Sequence, residues 1–161
     1  MRKITILLTK YSDWTSSLIY YLTGRGYTHA SLGVENVYYS FNYKGFHTET
    51  VESHRRHGVK RSISCELLIS EESYQYLWQR IQRFERNRTQ FHYSRLGVVF
   101  CLLRVPFHRE KHYFCSQFVA EMLKQSGAVS LEKKPELYLP NHFLQELRGN
   151  SQVVSVQVNP I

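Results

Sequence analysis

Cys115 is the residue whose type and position most clearly predict covalent chemistry. It opens the stretch CSQFVAEMLKQSG, in which apolar residues recur at helical spacing and Gly127 suits the position just after a helix. In the first turn of a helix, unpaired N–H groups and the positive end of the dipole stabilise a thiolate. The same N–H groups can hold an oxyanion. The pattern therefore predicts a nucleophilic thiol at this position.

His29 is the candidate base for that thiol. It lies in YTHASLGV, whose alternation of apolar with small or polar residues predicts a β-strand with the histidine on the face of Ser31 and Gly33. An imidazole within reach of a thiol can form an ion pair with it or accept its proton. Because its neighbours on this face are small, we expect a cleft beside His29.

The group that orients His29 is predicted from the next alternating stretch, VYYSFN. A two-residue hairpin turn is the simplest connection between the two strands, and the register that matches their faces places Asn42 opposite His29. An amide carbonyl there would fix the tautomer of the ring. Ser40, two residues away on the same face, and Glu49, from the following loop, remain alternatives.

The elements that must position these groups form an α+β pattern. Strands are predicted from Lys3 to Lys10, in the two stretches above, and in RSISCELLIS. Helices are predicted in WTSSLIYYLTG, from about Glu71 to Phe84, from about Ser94 to Leu103, and in CSQFVAEMLKQSG. The third of these helices is apolar throughout, so we expect it to be buried. The segment from Asn42 to Arg61 has no clear period and is predicted to be a loop.

The composition predicts one basic domain over residues 1–161. A chain of this length with 42% hydrophobic residues can bury one core. Lys and Arg exceed Asp and Glu by 21 to 13, giving a formal net charge of +8 that favours anionic partners without naming one. Three widely spaced cysteines predict neither a disulfide framework nor a zinc site, and we expect Cys65 and Cys101 in the core.

Neither a secretion signal nor a membrane-spanning segment is predicted. The apolar run Ile4–Leu8 is short for a signal peptide, and the run Leu96–Leu103 is far below the roughly 20 residues that cross a bilayer. We therefore expect a cytoplasmic location. Two histidine pairs have spacings that a metal could use, but each lies in a basic segment, so no metal or other cofactor is expected. The pairs are His54 with His57 and His108 with His112.

Taken together, YTHASLGV, YSFN and YFCSQFVAEMLKQSG resemble the circularly permuted branch of the papain-like NlpC superfamily. This branch contains YiiX/YaeF-type bacterial proteins and lecithin:retinol acyltransferase-like enzymes. In it a histidine strand precedes the nucleophile helix, and here His29 precedes Cys115. The similar order of elements extends from about Lys3 to Pro140. The resemblance implies an α+β, permuted papain-like fold, with a small antiparallel sheet packed against helices and the nucleophile at a helix N-terminus.

The resemblance also implies a reaction. Cys115 would be the nucleophile and His29 its base, in a hydrolase or acyltransferase that acts on an amide, a peptide or an acyl ester through a thioester acyl-enzyme. Relatives often carry His or Glu as the third polar residue, where this chain has Asn42. Small-molecule, peptide and lipid acyl substrates all fit. Tyr27 and Tyr113 flank the predicted catalytic pair and could line the substrate pocket.

A second interpretation is a catalytically inactive binding module. Its basic loop, Ser53 to Arg61, would hold an anionic polymer or a membrane surface. Specific binding of nucleic acid is not expected, because the sequence shows no recognition helix and no aromatic RNA-binding motif. Neither the residue pattern nor the resemblance indicates an oligomeric state.

Overall fold

The centre of the fold is a six-stranded antiparallel sheet. A computed structural model describes residues 1–11 and 26–161, and the helix predicted in WTSSLIYYLTG lies outside them. The strands are β1 (Arg2–Lys10), β2 (His29–Val34), β3 (Val37–Asn42), β4 (Gly45–Glu49), β5 (Arg61–Ile69), β6 (His92–Tyr93), β7 (His112–Tyr113) and β8 (Val153–Val158). The order across the large sheet is β4-β3-β2-β1-β5-β8, and β6 and β7 form a separate parallel pair. The predicted α+β class is confirmed.

Five α-helices are present in the described part of the chain. They are α1 (Val51–Arg56), α2 (Glu71–Arg86), α3 (Arg95–Leu102), α4 (Cys115–Gln125) and α5 (Pro140–Leu147). Short 3₁₀ turns lie at Arg88–Gln90 and Pro135–Leu137. Within the described ranges, no helix combines the length and the apolar character needed to cross a membrane.

The core lies between one face of the sheet and helices α2 and α4. Phe41 of β3, Phe84 of α2 and Phe118 of α4 meet there, with ring centroids 5.2 to 6.0 Å apart. The alternation in β1 and the helical period in α2 explain which residues face inward, because each pattern places its apolar side chains on one face. Burial of these aromatic side chains joins α4 firmly to the sheet.

The predicted hairpin between β2 and β3 has the expected register at its turn. Val34 pairs with Val37 and Leu32 with Tyr39. Glu35 and Asn36 both have positive φ angles, 51° and 67°, as the two central residues of a type I′ turn do. The matching of buried and exposed faces therefore selected the correct register even though the turn sequence is unusual.

Two predictions about the remaining elements are wrong. The segment after Asn42 is not a loop, because it turns at once into β4 and then into α1, which begins with a capping box between Thr50 and Ser53. Helix α3 is not buried, because only Gly97 and Cys101 of its residues are shielded from solvent. In both places the sequence lacked the usual signal: β4 has few apolar residues, and α3 packs through small residues.

Candidate active site

Cys115 is the first residue of α4, as its sequence predicted. The preceding residue, Phe114, has extended backbone angles, and the side chain of Gln117 accepts a hydrogen bond from its N–H at 3.3 Å, which closes the start of the helix. Cys115 itself is 7% exposed. It is therefore held at a helix N-terminus, mostly shielded from water.

The surroundings of Cys115 favour its thiolate. Burial raises the pKa of the thiol, but a hydrogen bond from His29 and the positive charge of that ring lower it. The backbone N–H groups of Ala30 and Ser116 lower it further. The net result is a pKa below the ordinary cysteine value, because these groups stabilise the anion more than burial destabilises it.

His29 bridges Cys115 and a buried carboxylate. Its Nε2 donates to Glu49 Oε1 at 2.7 Å, so the other ring nitrogen is the one available to Cys115. Burial lowers the pKa of His29, but the Glu49 charge and the hydrogen bonds to Cys115 and Glu49 outweigh it and raise the pKa well above the ordinary value. A lowered thiol pKa beside a raised imidazole pKa is the condition for a thiolate–imidazolium pair.

Glu49 receives contacts from four side chains. Its Oε1 accepts from Nε2 of both His29 and His47, and its Oε2 accepts from Ser31 Oγ at 2.6 Å and lies 3.0 Å from His54 Nε2. Burial raises the pKa of this carboxyl, but the charge of His29, the hydrogen bonds from His29 and His47 and the nearby His54 ring hold it well below its usual range. Glu49 is therefore ionised at neutral pH although it is only 8% exposed.

The contacts continue behind Glu49 into α1. His54, which is 1% exposed, receives the Tyr11 hydroxyl at its Nδ1, and the edge of the Tyr38 ring packs against its imidazole. Strand β4 places Glu49 on the same sheet face as His47, and α1 covers that face with His54. Because each group is fixed by a partner, the carboxylate has little freedom to turn away from His29.

The structure brings together two of the three predicted catalytic residues and replaces the third. The predicted contact of Asn42 with His29 is wrong, since Asn42 Oδ1 accepts instead from the backbone N–H of Lys44 at 2.8 Å. The alternative Ser40 is buried and donates to the carbonyl of Ala30 at 2.6 Å. The residue that contacts His29 in its place is Glu49, which the sequence offered only as an alternative from the following loop. The sequence carries no strong signal for strand β4, and only its pairing with β3 shows that Glu49 lies on the face of Ser40.

Neither tyrosine predicted to line a pocket does so. Tyr27 is part of the core, with its N–H donating to Asn141 Oδ1 at 2.9 Å. Tyr113 is also buried, and its hydroxyl donates to Glu121 at 3.2 Å. The tyrosines that do line the cleft are Tyr11, Tyr43 and Tyr93, which the sequence did not single out.

A cleft of about 510 Å³ opens onto the thiol and the imidazole. Histidines, aromatic rings and several hydroxyl, amide and charged side chains line it, with Lys44 among them. Among its lining residues are Cys115, His29, Phe41, Tyr43, Tyr93 and His57. A cleft that combines aromatic surface with polar side chains beside a thiol is a suitable site for a small molecule or an acyl group.

His29, His47 and Glu49 also offer ligand atoms within 4.8 Å of one another, close enough to hold a metal ion. The same atoms are joined by the hydrogen bonds to Glu49, which account for their proximity. The other two cysteines are in the core as predicted. Burial raises the pKa of Cys65, and burial together with the nearby Cys115 raises the pKa of Cys101 to about 12.

The sequence matches no protein-family model and no curated protein. The chemical assignment of this cleft therefore depends on its own geometry. That geometry consists of a thiol at a helix N-terminus, an imidazole bonded to it, and an ionised carboxylate behind the imidazole.

Proposed function

We propose that the protein is a cysteine-dependent hydrolase or acyltransferase that acts on an amide, a peptide or an acyl ester through a thioester acyl-enzyme. The single observation that supports this most is the series of contacts from Cys115 to His29 to Glu49 beside an open cleft. The order of these elements, with the histidine strand before the cysteine helix, also supports membership of the circularly permuted papain-like NlpC group.

In the first half of the reaction, the Cys115 thiolate attacks the carbonyl carbon of the substrate and forms a C–S bond. The carbonyl oxygen becomes an oxyanion, which N–H groups in the first turn of α4 can stabilise. The His29 imidazolium then gives its proton to the leaving amine or alcohol as the bond from that group to the carbonyl carbon breaks. The product of this half is a thioester on Cys115 and a neutral His29.

In the second half, His29 takes a proton from water or from another nucleophile as it attacks the thioester carbonyl. The C–S bond breaks and the thiolate returns, paired again with imidazolium. Glu49 stays ionised throughout, because its hydrogen bonds and the neighbouring positive charge hold its pKa low. Its role is to fix the orientation of His29 and to stabilise the imidazolium.

Trapping of the acyl-enzyme tests this proposal. The full chain is incubated with activated acyl thioesters and aryl esters that carry short and long acyl groups, and the modified peptide is identified by mass spectrometry. We expect one acyl group on Cys115, none on Cys115→Ala, and unchanged trapping on Cys101→Ala. Cys101 is a matched control because it is also buried close to the site. Absence of any adduct on Cys115 across the substrates, in a folded protein, contradicts the proposal.

A further inference from the structure

Helix α3 is apolar at almost every position, yet two of its large side chains are exposed to solvent. Leu96 is 56% exposed and Val99 is 51% exposed, and Leu103, directly after the helix, is 65% exposed. Val105, in the loop that follows, is 45% exposed. A helix that is hydrophobic on all sides is normally buried, so these four residues form a surface that something else is expected to cover. We call it the α3 patch.

The α3 patch is held rigidly by the small residues on the opposite side of the helix. Gly97 packs so closely that an added Cβ would lie 3.1 Å from the Phe114 ring. Ser94 caps the helix by accepting the Gly97 N–H at 3.0 Å, and its own N–H donates to the carbonyl of Tyr113 at 2.9 Å. The exposed face is therefore presented on a fixed helix rather than on a loose end.

The loop after α3 is fixed to the neighbouring elements as well. Phe107 stacks on Phe100 with ring centroids 4.7 Å apart. His108 Nδ1 lies at hydrogen-bond distance, 2.8 Å, from the side-chain amide of Gln117 in α4. The loop that follows the patch therefore contacts the first turn of α4, where Cys115 lies.

Cations flank the apolar residues of the patch along the chain. Arg95, Arg104, Arg109 and Lys111 are exposed, and Glu110 is the only acidic residue between positions 95 and 111. In the described part of the chain, the ion pairs include none of these four cations. Exposed apolar side chains in one segment with exposed Lys and Arg outside ion pairs are the composition of surfaces that lie in the interface of an anionic bilayer.

We propose that the α3 patch and its bordering cations dock the protein on an anionic lipid bilayer, with the apolar side chains inserted at the headgroup level. A second copy of the chain is a poorer occupant. An isologous contact would place each copy's basic border against the other's, which is repulsive, whereas anionic headgroups neutralise it. This proposal goes beyond the thiol chemistry and does not depend on it.

Vesicle co-sedimentation of the full chain tests the docking. The probes are phosphatidylcholine vesicles with and without phosphatidylglycerol, at low and high salt, and Cys115→Ser is used throughout so that chemistry plays no part. We expect binding only with phosphatidylglycerol and weaker binding at high salt. If the Cys115→Ser chain, the parent in these experiments, does not bind these vesicles at low salt, the docking proposal is overturned and the proposed thiol reaction is unaffected.

A matched pair of triple variants locates the surface. Leu96→Gln, Val99→Gln and Leu103→Gln are combined in one chain, and Val154→Gln, Val156→Gln and Val158→Gln, three exposed valines of β8, are combined in another. We expect the α3 variant to lose about tenfold or more in vesicle affinity and the β8 variant to bind like the parent. Equal binding by the two variants overturns the proposal.

The charge contribution is compared in the same way. Arg104→Gln with Arg109→Gln should weaken binding and reduce its salt dependence, whereas Arg55→Gln with Arg56→Gln in α1 should change it less. The reverse result assigns lipid binding to the basic segment of α1 and overturns the proposal. Sedimentation of the parent without lipid completes the test. If the parent is a dimer, if only the α3 variant is a monomer, and if the parent does not bind vesicles, the occupant of the patch is a second copy of the chain.

Discussion

Glu49 Oε1 lies 2.7 Å from Nε2 of His29, twenty positions earlier in the chain, so a buried carboxylate supports the imidazole that contacts Cys115. This pairing determines the charges of the site. It raises the pKa of His29 against the effect of burial, and the resulting imidazolium lowers the pKa of the Cys115 thiol. In all three groups the pKa is thereby shifted toward the ionised form, against the effect of burial.

Replacement of Glu49 by Gln tests its assignment as the orienting residue. The amide keeps the size of the side chain but removes its charge, so the His29 pKa should fall and Cys115 should lose its ion pair. We expect alkylation of Cys115 near neutral pH to slow by about tenfold or more, and acyl transfer by about a hundredfold. The two rates are measured by peptide mass spectrometry and by product release.

Asn42→Ala is the matched control for that change. Asn42 lines the same cleft, but its side chain accepts a hydrogen bond from Lys44 in the hairpin turn. A much smaller loss of rate than in Glu49→Gln is therefore expected, because the Asn42 side chain is bonded within the hairpin turn and not to His29. A large loss in Asn42→Ala with an unaffected Glu49→Gln would return the orienting role to Asn42.

The pH dependence of acyl transfer should be bell-shaped. Activity requires the Cys115 thiolate, so it falls as the pH drops through the lowered pKa of that thiol. It also requires a proton on His29 for the leaving group, so it falls as the pH rises through the raised pKa of the imidazole. Initial rates over the stable pH range measure both limits. A rate of acyl transfer that only rises toward alkaline pH, as expected for an isolated thiol, would be inconsistent with the ion pair.

Stability should also depend on pH through Glu49. Its folded pKa is lowered, so its contribution to the free energy of unfolding is present above the unfolded pKa and is lost as the pH falls through the folded value. We expect Glu49→Gln to be less stable than the parent at neutral pH and to lose less stability on acidification. Urea unfolding at neutral and acidic pH measures the difference. If both proteins lose the same amount of stability on acidification, Glu49 is not the group responsible for this pH dependence.

The aromatic core that joins α4 to the sheet should be essential to stability. Phe118 is fully buried against Phe41 and Phe84, so Phe118→Ala should lower the free energy of unfolding by about 3–5 kcal/mol. The comparison is Leu96→Ala, at an exposed position, for which a change within about 0.5 kcal/mol is expected. Denaturant unfolding measures both. Similar small losses in the two variants would mean that this aromatic cluster contributes little to holding α4.

The sequence predicted the parts of the site that local patterns determine. Alternation located the His29 strand and its hairpin register, and helical spacing placed Cys115 in a first turn, because both patterns arise from burial of one face. The Glu49 contact could not be predicted in this way. It depends on the pairing of β4 with β3, where Tyr38 lies opposite Glu49, and β4 has only one large buried apolar residue, Phe46.

The exposed position of α3 could not be predicted for a different reason. An apolar stretch shows that burial is favourable but does not identify the partner that provides it. Gly97 and Cys101 are the residues that meet the rest of the protein, and the larger side chains are left outside. The rest of the surface of α3 is what the proposed bilayer contact would cover.

Selective alkylation of the three cysteines tests the central claim most directly. The parent and His29→Ala are treated with a limiting amount of iodoacetamide just below neutral pH, and labelling of each cysteine is followed by mass spectrometry. The account predicts rapid labelling of Cys115 in the parent and labelling slowed by about tenfold or more in His29→Ala, with Cys65 and Cys101 unreactive in both. Cys115 that reacts as slowly in the parent as in His29→Ala would contradict it.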